Sequence, residues 1–183
     1  MGWLDLIPRT TPRLYIGGLH ALYQPNLIQP AKITHVLSVI DYDPLLQDQF
    51  AHLKHFHIRV EDDPNVNLLQ YFEQGVRFID GAEDKGGGVF VHCAMGKSRS
   101  ATLVVAYLMW KYGIDFPAAL AQVCEGRPVC DPNPGFKEQL EEWGRMCGEK
   151  SDAEKRRIYE MWEKGRFVGD VCEWEKRVGM SKL

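Results

Sequence analysis

Apolar positions along this chain follow two rhythms, short blocks early and helical spacing late. Arg13–Gly18 alternates and is then stopped by two glycines, which predicts a short strand; His35–Ile40 and His55–Val60 predict two more. Between them, Gln24–Lys32 and Pro44–Leu53 are polar connectors with room for short helices. From Leu68 the apolar residues Leu68, Phe72, Val76 and Ile79 recur at helical spacing, with Asn67 as a candidate N-cap, until Gly86, Gly87 and Gly88 stop the pattern. That run predicts an amphipathic helix packed on a sheet.

Val89–Val91 is short and wholly apolar, as a buried strand is, and leads straight into His92–Ser100. The next stretch, Ala101–Met109, is apolar on every side and predicts a helix at the centre of the fold. Asp115 is placed to cap a helix ending at Gly126. Pro134 can open another, with the stripe Phe136, Leu140, Trp143 and Cys147 and an end at Gly148. Ser151–Glu154 reads as a capping box for a charged helix to about Gly165, apolar mainly at Ile158, Tyr159, Met161 and Trp162. The pattern therefore predicts an α/β fold, a central, mostly parallel sheet flanked by helices, over residues 1–150, with residues 151–183 as a charged helical extension.

Composition narrows the function. With 183 residues, 45% hydrophobic and 26% charged, the chain has material for one sizeable core. Its 22 Lys and Arg against 25 Asp and Glu give a net charge of −3 without long runs of either sign, which removes the electrostatic footprint of a nucleic-acid binder. An anionic substrate must then be met locally. No apolar stretch reaches the roughly 18 to 20 residues that cross a bilayer, and the first residues lack a basic region followed by an apolar one, so a soluble protein of the cytoplasm and/or nucleus is expected, away from membranes. The five cysteines, Cys93, Cys124, Cys130, Cys147 and Cys172, form no C-x-x-C pair and no Cys/His ligand spacing, so reduced thiols and no metal are expected.

Chemistry concentrates between Cys93 and Arg99. A buried strand delivers a cysteine into a loop of small residues, Ala94 and Gly96, which enters a helix near Ser98. Backbone N–H groups in such a loop, with the positive end of the helix, make a cradle for an anion, either a thiolate or a phosphate. Helix N-termini and neighbouring cations favour the thiolate, the reactive form of a cysteine. Arg99 is placed so that its planar fork can return across the loop and bind two phosphate oxygens together.

The sequence His92-Cys93, five residues, Arg99-Ser100 resembles the signature of the cysteine-dependent protein phosphatases, in their dual-specificity branch. The likeness extends through Leu14–Gly18, Ile33–Val39 and Arg127–Phe136 followed by Gln139 and Leu140. The run from His92 to Thr102 is especially similar to a fungal phosphatase linked to ribosome assembly; that relative carries a cysteine-rich zinc domain, for which this chain has no ligand spacing, so the ribosomal role is not expected here. The resemblance implies that residues 1–150 are a phosphatase catalytic domain acting on phosphotyrosine and phosphoserine or phosphothreonine in proteins, without a cofactor or metal. It implies that Cys93 attacks phosphorus to form a phosphocysteine, that Arg99 holds the equatorial oxygens, and that N–H groups of Ala94, Met95, Gly96, Lys97, Ser98 and Arg99 bind the rest. His92 would stabilise the loop and the thiolate, and Ser100 would assist breakdown of the intermediate. The general acid falls on the loop after the strand ending at Val60: Asp62 matches best, with Asp63, before Pro64, facing water. Asn133 matches a residue that buttresses the phosphate loop, and it also fits as a simple N-cap before Pro134.

Other readings have their own signatures. A phosphoprotein-binding module that no longer turns over would have lost the Cys, the Arg or the acid, and all three stand here. A phosphoinositide phosphatase would enrich the loop in basic residues, whereas Lys97 is its only lysine. An RNA 5′-phosphatase on the same loop would need a basic path that the charge pattern does not supply. Finally, Ser181-Lys182-Leu183 has the form of an address read by a peroxisomal import receptor, with Lys176 and Arg177 upstream. Met1-Gly2 does not extend to a myristoylation motif, because Leu6 stands where Ser or Thr is required.

Overall fold

The structure, a computed structural model, describes residues 3–44, 50–82 and 87–180. The middle of the connector from Pro44, Gly86 of the glycine stop and the C-terminal tripeptide lie outside the described residues. Five strands form one sheet: β1 (Leu4–Leu6), β2 (Arg13–Gly18), β3 (Ile33–Val39), β4 (Lys54–Ile58) and β5 (Gly88–Cys93), in the order β1-β2-β5-β3-β4. Only β1 runs antiparallel to its neighbour; the other pairings are parallel. The central strand β5 is buried along its whole length, which is why its sequence is a continuous apolar run without alternation. β1 escapes the hydrophobic pattern because it is three residues at an edge, half-exposed, with Asp5 in the middle.

The helices are α1 (Pro25–Ile28), α2 (Phe72–Asp80), α3 (Arg99–Tyr112), α4 (Phe116–Gly126), α5 (Pro134–Gly148), α6 (Asp152–Gly165) and α7 (Val171–Met180). α3 is buried from Arg99 to Met109 and packs against α2, α4 and α5, as its uniform apolar face requires. Asp115 accepts from the Ala118 N–H at 2.9 Å and caps α4 as expected. Trp143 of α5 donates to the Ala106 carbonyl at 3.0 Å, fixing α5 on α3. Among the described residues no helix is long and apolar enough to cross a membrane.

Three local expectations are corrected. The helix expected from Asn67 begins as a 3₁₀ turn, Leu69–Tyr71, whose N-cap position is Leu68 rather than Asn67; Asn67 Oδ1 accepts from the Gln70 N–H at 3.2 Å, and α2 follows, ending at Asp80 rather than at the glycines. Ser151 stands at the N-cap of α6 but makes no side-chain cap bond, and Glu154 pairs instead with Arg157. Met161 of that helix is exposed, and a further helix, α7, follows with Trp174 buried beneath it. β2 and β5 end at Gly18 and Cys93, Asp41 follows β3 and Asp62 follows β4, and these C-terminal loops converge on one edge of the sheet, the place where parallel α/β sheets bind ligands.

Candidate active site

The segment joining β5 to α3 is a loop whose carbonyls are all tied outward. The carbonyl of Ala94 accepts from Leu19 N–H (3.2 Å), Met95 from Arg127 Nη2 (2.9 Å), Gly96 from Arg127 Nε (2.7 Å), Lys97 from Asp131 N–H (2.9 Å) and Ser98 from Thr102 N–H (2.9 Å). Across a planar trans peptide the N–H points opposite to the carbonyl, so five successive N–H groups, from Met95 to Arg99, turn toward the inside of the loop. The sequence allows this path at Gly96, whose φ is +69° and where a Cβ would collide with the backbone of Gly17.

Cys93 lies on the floor, 2% exposed. Its Sγ accepts from the Gly96 N–H at 3.2 Å and sits 3.3 Å from Ser100 Oγ, a hydroxyl able to donate to it. Both contacts suit a negatively charged sulfur. His92 is fully buried, and burial pushes its imidazole down to about 4, so it is neutral at pH 7. Its Nδ1 lies 3.4 Å from the Cys93 carbonyl and its Nε2 2.7 Å from Ser38 Oγ; a proton on Nδ1 lets the ring donate to the first and accept from the second. His92 thus meets the loop as a neutral strut between β5 and β3.

Arg99 is 7% exposed, and its Nη1 donates to Asp41 Oδ1 (2.9 Å) and to the Val60 carbonyl (3.1 Å). Its Nε is buried with no protein acceptor, a donor that an anion seated in the loop would satisfy. Asp41 is held below the usual carboxylate range, first by a hydrogen bond from its own backbone and then by Arg99. Asp62 is exposed at the rim: Ser98 Oγ donates to its Oδ1 at 2.6 Å and Asn133 Nδ2 at 2.9 Å. Asn133 caps α5, its Oδ1 accepting from Phe136 N–H at 2.9 Å, and its backbone N–H donates to Ser98 Oγ at 3.0 Å. Asp63 does not simply face water; it is half-buried and accepts from the Asn65 N–H at 2.7 Å, closing a local turn. Met95 and Lys97 project outward from the loop and are exposed.

Three residues have roles that sequence reasoning missed. Asp41, just past β3, anchors Arg99; its signal was a carboxylate immediately after a parallel strand. Arg127 clamps two loop carbonyls while its Nη1 pairs with Asp5 of β1 at 2.5 Å. Gln139, 1% exposed, accepts from the Leu68 and Leu69 N–H groups, both at 2.8 Å, and donates to the Val66 carbonyl at 2.8 Å, so α5 carries the end of the Asp62 loop. The same loop rests on α5 at Gly135, where any Cβ would strike the Pro64 backbone. Beside the phosphate loop opens a recess of about 660 Å³ lined by Trp3, Leu19, His20, Tyr42 and Met95.

A parallel sheet that delivers a cysteine into an N–H-lined loop, closed by an arginine at the start of a buried helix, defines the class of cysteine-dependent phosphatases. Within that class, a model of the dual specificity phosphatase catalytic domain matches residues 14–146. The chain belongs to the dual specificity phosphatase family. It is 43% identical over 130 residues to dual specificity protein phosphatase 1 of Arabidopsis thaliana, a match covering 70% of this chain and 64% of that protein. It is 38% identical over 143 residues to dual specificity protein phosphatase 15 of Mus musculus, covering 78% and 59%. The chain thus spans about three-fifths of the length of these relatives. Among solved structures it is similar to the Yvh1 phosphatase domain from Chaetomium thermophilum, with a TM-score of 0.72, 38% identity and coverage of 81% and 99% of the two chains. Human DUSP28 gives a TM-score of 0.71 at 30% identity, covering 79% and 95%.

Proposed function

We propose that the protein hydrolyses phosphotyrosine and phosphoserine or phosphothreonine in proteins through a phosphocysteine intermediate. Cys93 Sγ attacks phosphorus while the bond to the leaving oxygen breaks, and the Asp62 carboxyl gives its proton to that oxygen. Both donors to Asp62 fall on Oδ1, which leaves Oδ2 to carry the proton. Water then attacks the phosphocysteine, giving a proton back to Asp62, and the sulfur leaves as a thiolate that Ser100 and Gly96 N–H receive. The inward N–H groups and Arg99 hold the non-bridging oxygens throughout. The single observation that carries this reading is the run of five outward-tied loop carbonyls above Cys93, because it supplies anion binding at the sulfur without any metal. The lone loop lysine supports protein over phosphoinositide substrates, and the aromatic recess at Trp3 and Tyr42 offers a surface to residues flanking the phosphate. Cys93→Ser should bind phosphopeptide but not turn it over; chelators should leave the wild type unchanged and vanadate should inhibit it. Turnover near the wild-type rate in Cys93→Ser, or a strict need for added Mg²⁺, would contradict the proposal. Wherever Ser181-Lys182-Leu183 stands at the end of the mature chain, it is proposed as the ligand of a peroxisomal import receptor, beside cytoplasmic and nuclear residence. A fluorescent fusion ending in that tripeptide should be punctate and become diffuse on its deletion; a fusion diffuse from the start would remove this reading.

A further inference from the structure

The loop that carries Asp62 is gripped from two sides, and only one of them belongs to the matched catalytic region. From α5 come Asn133, Gly135 and Gln139. From beyond residue 146 comes a second set of partners. Asn65 donates through Nδ2 to the Gly169 carbonyl (2.9 Å), while its Oδ1 accepts from Gly169 N–H (3.0 Å) and from Trp174 Nε1 (3.0 Å). Arg166 Nη1 donates to the Asn65 carbonyl at 2.6 Å. Two residues on, Asn67 Nδ2 donates to Tyr159 Oη at 2.9 Å and to Glu163 Oε2 at 2.5 Å.

These six bonds come from α6, from the turn after it and from α7, and they end on two side chains and one carbonyl of a single short loop. The donors are themselves fixed. Trp174 is 3% exposed and meets Phe167 edge-on at 4.8 Å, and the Arg166 guanidinium lies over the Trp162 ring at 5.9 Å. An amide whose oxygen and nitrogen are both engaged by fixed partners restrains the position of its own backbone. Asp62 stands three residues before Asn65, with the Asp63 turn between them, so a shift of Asn65 moves the acid relative to the phosphate loop.

We infer that the extension from Ser151 to Met180 is a positioning element for the general acid, acting through Asn65, so that proton delivery to basic leaving groups depends on residues outside the matched catalytic region. This rests on the proposed role of Asp62. A positioning residue of this kind lowers the transition state for substrates that need the proton and leaves the others alone. Misplacing an acid by about 1 Å costs up to ~10²-fold, within the ~10²–10⁴-fold total value of a general acid.

The test uses the full chain and four variants: Asn65→Ala, Trp174→Phe, Asp62→Asn and the double Asp62→Asn/Asn65→Ala. Asn65→Ala should lower kcat on a phosphoserine peptide by about 10- to 100-fold, with KM unchanged, and leave para-nitrophenyl phosphate turnover close to wild type because nitrophenolate departs without a proton. Trp174→Phe keeps a ring against Phe167 and removes only the indole donor, so it should show a smaller loss of the same kind, and it carries the test if Asn65→Ala does not fold. In the Asp62→Asn background, Asn65→Ala should cause no further loss, because there is no longer a proton to place. Asn65→Ala and Trp174→Phe active as wild type while Asp62→Asn is slow would overturn the inference and leave the catalytic proposal standing, as would a full additional loss in the double variant. Asp62→Asn indistinguishable from wild type would overturn the acid assignment and the inference with it, while Cys93→Ser still tests the nucleophile separately.

Discussion

Asp62 and Asp63 are neighbouring carboxylates held for different purposes. Asp62 accepts only from side chains of the phosphate loop and of α5, whereas Asp63 accepts a backbone N–H two residues ahead. A phenolate leaving group departs with partial help, but a serine alkoxide needs a proton in the transition state. Asp62→Asn should therefore slow phosphoserine hydrolysis by about 10²–10⁴-fold. Asp63→Asn keeps an amide oxygen for Asn65 and should stay near wild type. Steady-state rates across pH on a phosphoserine peptide decide it, and the reverse ranking would put the acid one residue later. Counting from Ile58 toward the helix expected at Asn67 was enough to pick out Asp62 as the candidate, because strand, loop and helix are consecutive. No such count finds Asp41, whose partner Arg99 lies on another element and meets it only once β3 and β5 are adjacent. Nor does sequence reveal that His92 is neutral: that follows from complete burial, which no local pattern reports.

The phosphate loop owes its shape to elements other than itself. Arg127, in the link between α4 and α5, is 6% exposed and holds the Met95 and Gly96 carbonyls with one face of its guanidinium and Asp5 with another. Removing it takes the guanidinium donors away from the Met95 and Gly96 carbonyls and from the Asp5 carboxylate. Arg127→Ala should cost roughly 1–3 kcal/mol of stability, the usual penalty for removing the donor from a buried hydrogen-bonded group, and should weaken vanadate inhibition because the N–H groups of the loop lose their orientation. Arg127→Lys, which cannot span three acceptors, should fall between. Urea denaturation with vanadate titration of the same samples reads both; wild-type values in Arg127→Ala would mean that the loop is shaped by α3 alone. Elements with strong local signals were legible: β5 and α3 from unbroken apolar runs, α4 and α5 from Asp115, Asn133 and Pro134 at their starts. β1 and α7 were not, because β1 is three edge residues with none fully buried and in α7 Trp174 alone is buried over Val171–Arg177.

At the scale of the whole molecule, one sheet gathers four strand ends, and a pair of C-terminal helices closes over the loop bearing the acid. Arg177 of α7 pairs with Glu138 of α5, and Ile158 of α6 is buried, so the helices beyond residue 150 pack on the same body as the site. The charged surface of α6 hides this from sequence: periodicity shows a helix with little apolar face, and the bonds that matter are polar and lead to Asn65 and Asn67, about a hundred residues earlier. The account as a whole depends on a covalent bond between phosphorus and Cys93. Mixing the wild-type protein with excess phosphopeptide, quenching in acid within milliseconds and mapping the digest by mass spectrometry tests it directly. The expected result is a phosphoryl group on Cys93 that accumulates before steady state and is lost on neutral incubation. Turnover through many cycles with Cys93 never modified, or a phosphoryl group carried by another residue, would contradict it.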